Sequence, residues 1–275
     1  MDGKRLPRRR WHEMTSGDFA RGTPGGWVAI MPVGAIEQHG PHLPVGVDAM
    51  INNAIIDAML DLAPDDLPVT VLPTFWIGRS EEHVDFPGTL TFSAETLRRM
   101  WFETGASVAR AGVRKLIILN SHGGQIQVMQ IVARELRIRH DMFVVSCSWP
   151  QLGLPEGLVG THEQRVGIHA GQVETSLMLH IAPHLVDMSK AENFQPVYAT
   201  RTKEFPILMG LGAAGFGWKA QDLHESGAAG DASVASPEQG AAILGHTSGQ
   251  LSRLVAEVSR YQPPPSPGEM DMKKP

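Results

Sequence analysis

A single cysteine, Cys147, in a chain of 275 residues leaves no intramolecular disulfide framework. That scarcity fits a reducing cytoplasm. No stretch approaches the run of about 18 apolar residues that a transmembrane helix needs, so no membrane partner is expected. Excess positive charge is also missing: 24 Lys and Arg stand against 29 Asp and Glu, a net charge of −5. Nucleic-acid binding requires a basic patch or stripe, so that class is set aside. The one basic cluster, Lys4–Arg10 (KRLPRRR), has no apolar segment after it and is not a secretory signal. A solvated, frayed terminus is the simpler expectation. HExxH, GxSxG and the Walker phosphate loop are absent as well, which removes support for zincin, serine-hydrolase and nucleotide-triphosphatase chemistry. Cys147 lies within the apolar run Met142–Trp149, a place for a core residue and a poor one for an exposed nucleophile.

What the chain does contain is apolar mass and frequent turns. Hydrophobic residues make up 42%, enough for a sizeable core, and 29 Gly with 20 Pro punctuate it. Trp27–Val33 (WVAIMPV) is a continuous apolar run of strand length that breaks at Gly34. Such a run without alternation suggests a strand buried on both faces, as in a parallel sheet. Val69–Leu72, Lys115–Asn120 and Phe143–Ser148 read as further strands. Ala49–Leu62 and Gln125–His140 carry apolar residues at helical spacing, and Ser93 caps a helix from Ala94 to about Gly112. Ala170–Ile181 and a final amphipathic stretch from Pro237 to about Arg260 are also helical.

Strands alternating with helices predict βαβ units and an α/β fold, with helices on both faces of a largely parallel sheet. The segments 75–91, 150–168 and 195–232 lack a clear period and are expected to line a pocket, with Trp76, Trp149 or Trp218 as walls or as core and subunit contacts. One domain over residues 1–262 and a disordered Pro-rich tail at 263–275 complete the expected organisation.

Met31–Met50 (MPVGAIEQHGPHLPVGVDAM) places Glu37, His39, His42 and Asp48 within twelve positions, directly after the first strand. Mixed carboxylate and imidazole donors of this kind suit Zn, Mn or Fe. They also sit where α/β proteins keep their chemistry, past the carboxyl end of a strand. Glu37 and His39 are separated by one residue, so on an extended segment both side chains point the same way. Asp48 is equally well placed to cap the helix that follows. His42 reads as a residue behind the ligands or as a surface histidine.

Two further segments share the pattern, NSHGGQ and HAGQVET. In the first, two glycines after His122 allow close approach of the backbone to a substrate or metal. In the second, His169 and Glu174 lie five residues apart, and Glu174 in a first helical turn is also a plausible helix-dipole carboxylate. In a doubly wound fold these loops converge on one edge of the sheet.

Joined together, MPVGAIEQHGPHLPVGVD, FPGTLT, NSHGGQ and HAGQVETSLML closely resemble the signature segments of the creatininase (creatinine amidohydrolase) family. The resemblance runs from about Trp27 to Gly240. It implies a three-layer αβα sandwich around a mainly parallel sheet, a homohexamer, and two divalent metal ions per subunit at the sheet edge. Carried to this chain, it implies Glu37, Asp48 and His122 on one ion, and His39, Asp48 and a further carboxylate on the other. Asp48 is then the bridge. Creatininase takes the further carboxylate from two residues after the NSHGGQ-type histidine, and here that position is Gly124. Glu174 is the replacement implied by relatives with the HGG form. His169 matches the family histidine assigned to proton transfer.

The expected function is therefore a cytoplasmic, dinuclear metal-dependent amidohydrolase acting on a small cyclic or linear amide. A metal-bridging hydroxide would attack the carbonyl. His169 would protonate the departing nitrogen, and Glu174 would serve as ligand or as water-positioning base. The resemblance also embraces formamide deformylases, peptidases trimming a modified precursor peptide, and ring-opening hydrolases of oxidised inositols, and the Gly124 departure counts against creatinine itself. A metal-stabilised oligomeric binding protein is the non-enzymatic alternative, and it predicts unfolding on metal removal.

Overall fold

The computed structural model describes residues 6–22, 24–208 and 214–264. Its main sheet is built from the four apolar runs. Strands β1 (Val28–Val33), β2 (Val69–Val71), β3 (Lys115–Asn120) and β4 (Phe143–Ser148) lie parallel in the order β2-β1-β3-β4. Every residue of β1, β2 and β3 is buried, which is why these strands read as mainly apolar segments without alternation. Successive side chains leave opposite faces of a strand. Val28 and Ile30 thus enter one core, while Ala29, Met31 and Val33 enter the other.

The longer helices are α1 (Val47–Leu62), α2 (Ala94–Arg110), α3 (Ile126–His140), α4 (Gln172–Ile181) and α5 (Pro237–Arg260). On one face α1, α4 and α5 pack together through Ile51, Ile55, Leu177, Ile243 and Leu251. On the other, α2 and α3 meet through Leu97, Trp101, Val132 and Leu136. This is a three-layer αβα sandwich. No helix among the described residues is long and apolar enough to cross a membrane.

Local signals set several helix ends as expected. Ser93 accepts from the Thr96 N–H at 3.2 Å, and Ser236 accepts from the Gln239 N–H at 3.3 Å ahead of Pro237. Two starts differ. Helix α1 begins at Val47 with Gly46 at the cap position and no side-chain cap bond, so Asp48 lies inside the first turn instead of capping it. Helix α4 begins at Gln172 because Ala170 takes a left-handed φ of 54°, which a helix cannot include.

The basic segment expected to fray is tied down over its described part. Arg10 bridges Val71 in parallel, the Val71 N–H donates to the Arg9 carbonyl at 2.9 Å, and Arg10 pairs with Asp57. An edge strand exposes unpaired backbone groups, and these residues cover part of the β2 edge. Lys4, Arg5 and all of the expected tail beyond Pro264 lie outside the described residues. Within the segment read as loop, Asn193–Phe194 (β5) and Gly230–Asp231 (β6) form a small antiparallel pair.

The strand order places β1 beside β3, with β2 on one flank and β4 on the other, a switch point of the kind that opens a crevice beyond the strand ends. The Asn52 amide ties α1 to both strand ends, donating to the Val33 carbonyl at 3.2 Å and the Leu119 carbonyl at 2.9 Å. Gly34 allows the closeness: a Cβ there would lie 2.8 Å from Ala49 Cα.

Candidate metal centre

The crevice receives side chains from three loops, each locked by its own neighbours. The segment carrying Glu37 and His39 pairs with the FPGTLT stretch: the Leu90 N–H donates to the Ile36 carbonyl at 2.9 Å, and the Gln38 N–H to Thr89 Oγ1 at 3.3 Å. His122 is fixed by Asn120, whose amide donates to the His122 carbonyl at 2.7 Å and accepts from the His122 N–H at 3.2 Å. His169 pairs with Ala229 in an antiparallel bridge, and the strained Ala170 beside it donates its N–H to Glu174 Oε2 at 2.5 Å.

Glu37, His39, Asp48, His122, His169 and Glu174, the six residues singled out in the sequence, therefore meet at one place. They are buried or nearly so: Glu37, His39 and Asp48 are 1%, 0% and 3% exposed.

Hydrogen bonds commit one ring nitrogen of each histidine as a donor, because a carbonyl can only accept. His39 Nδ1 donates to the Glu37 carbonyl at 3.0 Å. Its Nε2 has no hydrogen-bond partner among the described residues and lies 3.8 Å from Asp48 Oδ1 and 4.0 Å from Glu174 Oε2. His122 Nε2 donates to the Arg79 carbonyl at 2.8 Å, and its Nδ1 lies 3.1 Å from Glu37 Oε1 and 3.7 Å from Asp48 Oδ2. His169 Nε2 donates to the Gln38 carbonyl at 2.7 Å, leaving Nδ1 at 3.7 Å from Glu37 Oε1.

A site-facing ring nitrogen and a carboxylate oxygen are both acceptors until one gains a proton, so each such pair needs a proton or a metal ion between its members. Glu37 Oε2 and Asp48 Oδ2 are also buried without a hydrogen bond. Orphaned acceptors of this kind are expensive unless something satisfies them. Among the described residues, three overlapping groups of donors converge closely enough to hold an ion: His39 with Asp48 and Glu174, Glu37 with Glu82 and His122, and Glu37 with His39 and His169.

Without a metal, protons respond to the same crowding. Burial, reinforced by the charge of Glu37, holds the Asp48 carboxyl well above the usual carboxylate range. Burial also raises Glu174. His39 is pushed well below the imidazole range by burial and then by His169. Burial works against the ionised forms of Glu37 and His122 too, but their mutual attraction wins, lowering the first and raising the second.

Two site residues went unremarked in the sequence, Glu82 and His83, both from the loop 75–91. Glu82 Oε1 lies 3.2 Å from His122 Nε2. His83 Nδ1 accepts from the Gln38 amide at 2.9 Å, which leaves its Nε2 facing Glu37 Oε1 at 3.5 Å, and burial lowers its pKa to about 4. The available signal was their place in a charged run just before FPGTLT, but nothing local distinguishes them from solvated loop charges. His42 is no surface histidine: it is 2% exposed, contacts Thr175 Oγ1 through Nε2 at 2.9 Å, and is lowered by burial to about 4.

A cavity of about 1070 Å³ opens onto the cluster, lined among others by Arg79, Glu82, His122, Gln127, Phe216 and Trp218. Of the tryptophans weighed as walls, Trp218 lines it. Trp149 is 2% exposed in the α1–α4–α5 core, and Trp76 is 44% exposed away from the lining. The loop 150–168 contributes only Ile168, because most of it lies elsewhere.

A family model described as Creatininase, creatinine amidohydrolase, matches residues 12–255. The mycofactocin precursor peptide peptidase of Mycobacterium ulcerans is 30% identical over 250 residues, 88% of this chain and 89% of that protein. The creatinine amidohydrolase of Pseudomonas putida is 29% identical over 208 residues, 68% of this chain and 77% of its own. A solved structure described as creatininase with Mn has a similar fold, with a TM-score of 0.75 at 24% identity over 92% of this chain and 99% of its own. The family model spans most of the chain, which is a member of the creatininase family of amidohydrolases.

Proposed function

We propose that this protein is a dinuclear metal-dependent hydrolase that cleaves the C–N bond of an amide. The observation that carries the reading is Asp48, whose two oxygens face different site-facing imidazole nitrogens, Oδ1 toward His39 Nε2 and Oδ2 toward His122 Nδ1. One carboxylate is thereby placed to serve two ions. Glu37, Asp48 and His122 would hold one, and His39, Asp48 and Glu174 the other. The mixed N/O donor set suits Mn, Zn or Fe. Two such ions supply Lewis acidity and a water acidified toward neutrality.

The rest of the chemistry belongs to this chain. The Gln38 carbonyl keeps a proton on His169 Nε2, so the site-facing Nδ1 is the atom that can take up and release one. That nitrogen is placed to protonate the departing amine. Gln38 is itself held by donation to the Gly227 carbonyl at 2.8 Å, so the imidazole rests on a fixed support. Substrates of the small cyclic or linear amide class fit within the cavity. A second reading, cleavage of a peptide amide, is favoured by the size of that cavity, about 1070 Å³, and by likeness to the precursor peptide peptidase.

Elemental analysis of the purified protein tests the proposal. Close to two divalent ions per chain are expected. Amine release from cyclic amides, formamides or short peptides should stop after chelation and return with Mn or Zn. A single ion per chain would overturn the dinuclear arrangement. Unfolding on chelation with no amine released from any of these would favour a metal-stabilised binding protein.

Metal uptake should also depend on pH with a definite sign. Asp48 and Glu174 hold their protons above the usual carboxylate range in the metal-free protein, so loading must expel them. His122, raised by Glu37, must also give up its extra proton, so apparent affinity is expected to rise with pH through these raised ranges and to level off once all three groups have lost theirs. His39, held well below the imidazole range, has no proton to lose. Calorimetric titration in two buffers of different ionisation enthalpy reads the protons released; an affinity independent of pH with no release would contradict the assignment.

A further inference from the structure

We propose that Glu82 is a positioning residue that, together with the Arg79 carbonyl, holds His122 with Nδ1 toward the metal, and that position 124 is glycine because this carboxylate occupies the space beside it. The inference rests on the dinuclear reading above. Glu82 stands on the short turn Glu81–His83, with its side chain 12% exposed, and directs Oε1 to within 3.2 Å of His122 Nε2. The same nitrogen lies 2.8 Å from the Arg79 carbonyl. The N–H given to the carbonyl therefore also stands beside a carboxylate. The proton is held on Nε2, and the lone pair is kept on Nδ1, toward Glu37 and Asp48. A carboxylate behind a ligating imidazole fixes the ring and raises the basicity of its metal-facing nitrogen.

Gly124 closes the argument sterically. A Cβ built there would overlap Glu82 Oε1 and come within 2.6 Å of His122 Nε2, and the obstructing atoms belong to the pair itself. The backbone of Gly124 takes part as well, since its carbonyl accepts from Arg79 Nη1 at 2.8 Å. Arg79 in turn pairs with Glu81 at 2.7 Å, which steadies the turn from which Glu82 projects. Any side chain at position 124 and the Glu82–His122 contact are mutually exclusive.

Three variants and two readouts test this. Mn²⁺ or Zn²⁺ affinity is measured against a chromophoric chelator, and the His122 tautomer is read from ¹⁵N shifts of the Zn-loaded protein. Glu82→Ala should weaken metal binding roughly 10–100-fold. Gly124→Ala keeps every charge but displaces the carboxylate, and it should show a similar loss. Glu82→Gln retains an acceptor oxygen, so it should keep the wild-type tautomer and recover part of the affinity. Wild-type affinity and tautomer in Glu82→Ala, or in Gly124→Ala, would overturn the role of Glu82 while leaving the dinuclear reading in place. A wild-type protein that takes up no divalent ion would overturn that reading instead, and this inference with it.

Discussion

Replacing Asp48 by alanine is expected to empty both metal positions at once and to lower kcat/KM by about a thousand-fold or more. The magnitude follows from losing several kcal/mol of Lewis-acid stabilisation, at about 1.4 kcal/mol per tenfold in rate. The double loss follows from geometry, because Oδ1 and Oδ2 face His39 and His122 separately. Removal of an outer ligand such as Glu174 should weaken one ion more than the other.

Stability separates this effect from simple misfolding. In chelator, Asp48→Ala should unfold no earlier than wild type, since burial and the charge of Glu37 already make an ionised Asp48 unfavourable. In excess metal, only the wild type should gain stability by mass action, about 2.7 kcal/mol for one site at a hundred times Kd. Metal content and thermal unfolding in both conditions check the prediction. One tightly held ion surviving the substitution would remove Asp48 as the bridge.

His169→Ala is expected to behave differently, cutting kcat by about 10²–10⁴ while two ions remain bound. The imidazole faces the cluster through Nδ1 at 3.7 Å from Glu37 Oε1, but Asp48, His39, His122 and Glu174 converge without it. Its removal opens a gap beside the cavity, so added imidazole should restore part of the rate without changing metal content. That rescue is a signature of a missing proton carrier and not of a missing wall. Loss of an ion in His169→Ala would instead make His169 a ligand, in keeping with its closeness to Glu37 and His39.

Much of the scaffold was readable because its signals are local. Strands β3 and β4 begin and end where the sequence reading placed them, since each is built on a short apolar stretch bounded by polar or turn-forming residues. Ser93 and Ser236 mark helix starts through a hydrogen bond only three residues long. The Glu37–His39 pair could be read because alternation along an extended segment is a property of two neighbouring residues. Where competing local signals were equally good, reading failed: Asp48 looked as much like a cap as a ligand, and the turn at Gly46 placed it inside the helix.

The sequence by itself determined the alternation of strands and helices, the burial of the sheet and the three loops that carry donors, because each depends on spacing within a few residues. Tertiary structure alone decided that the Arg9–Arg10 segment covers the β2 edge, that Trp149 is core and not wall, and that Glu82 and His83 join the site. It also set the histidine tautomers, through contacts such as His169 to the Gln38 carbonyl across 131 residues. Separations of that length leave no periodic trace in a sequence, since what joins them is the packing of helices on a twisted sheet.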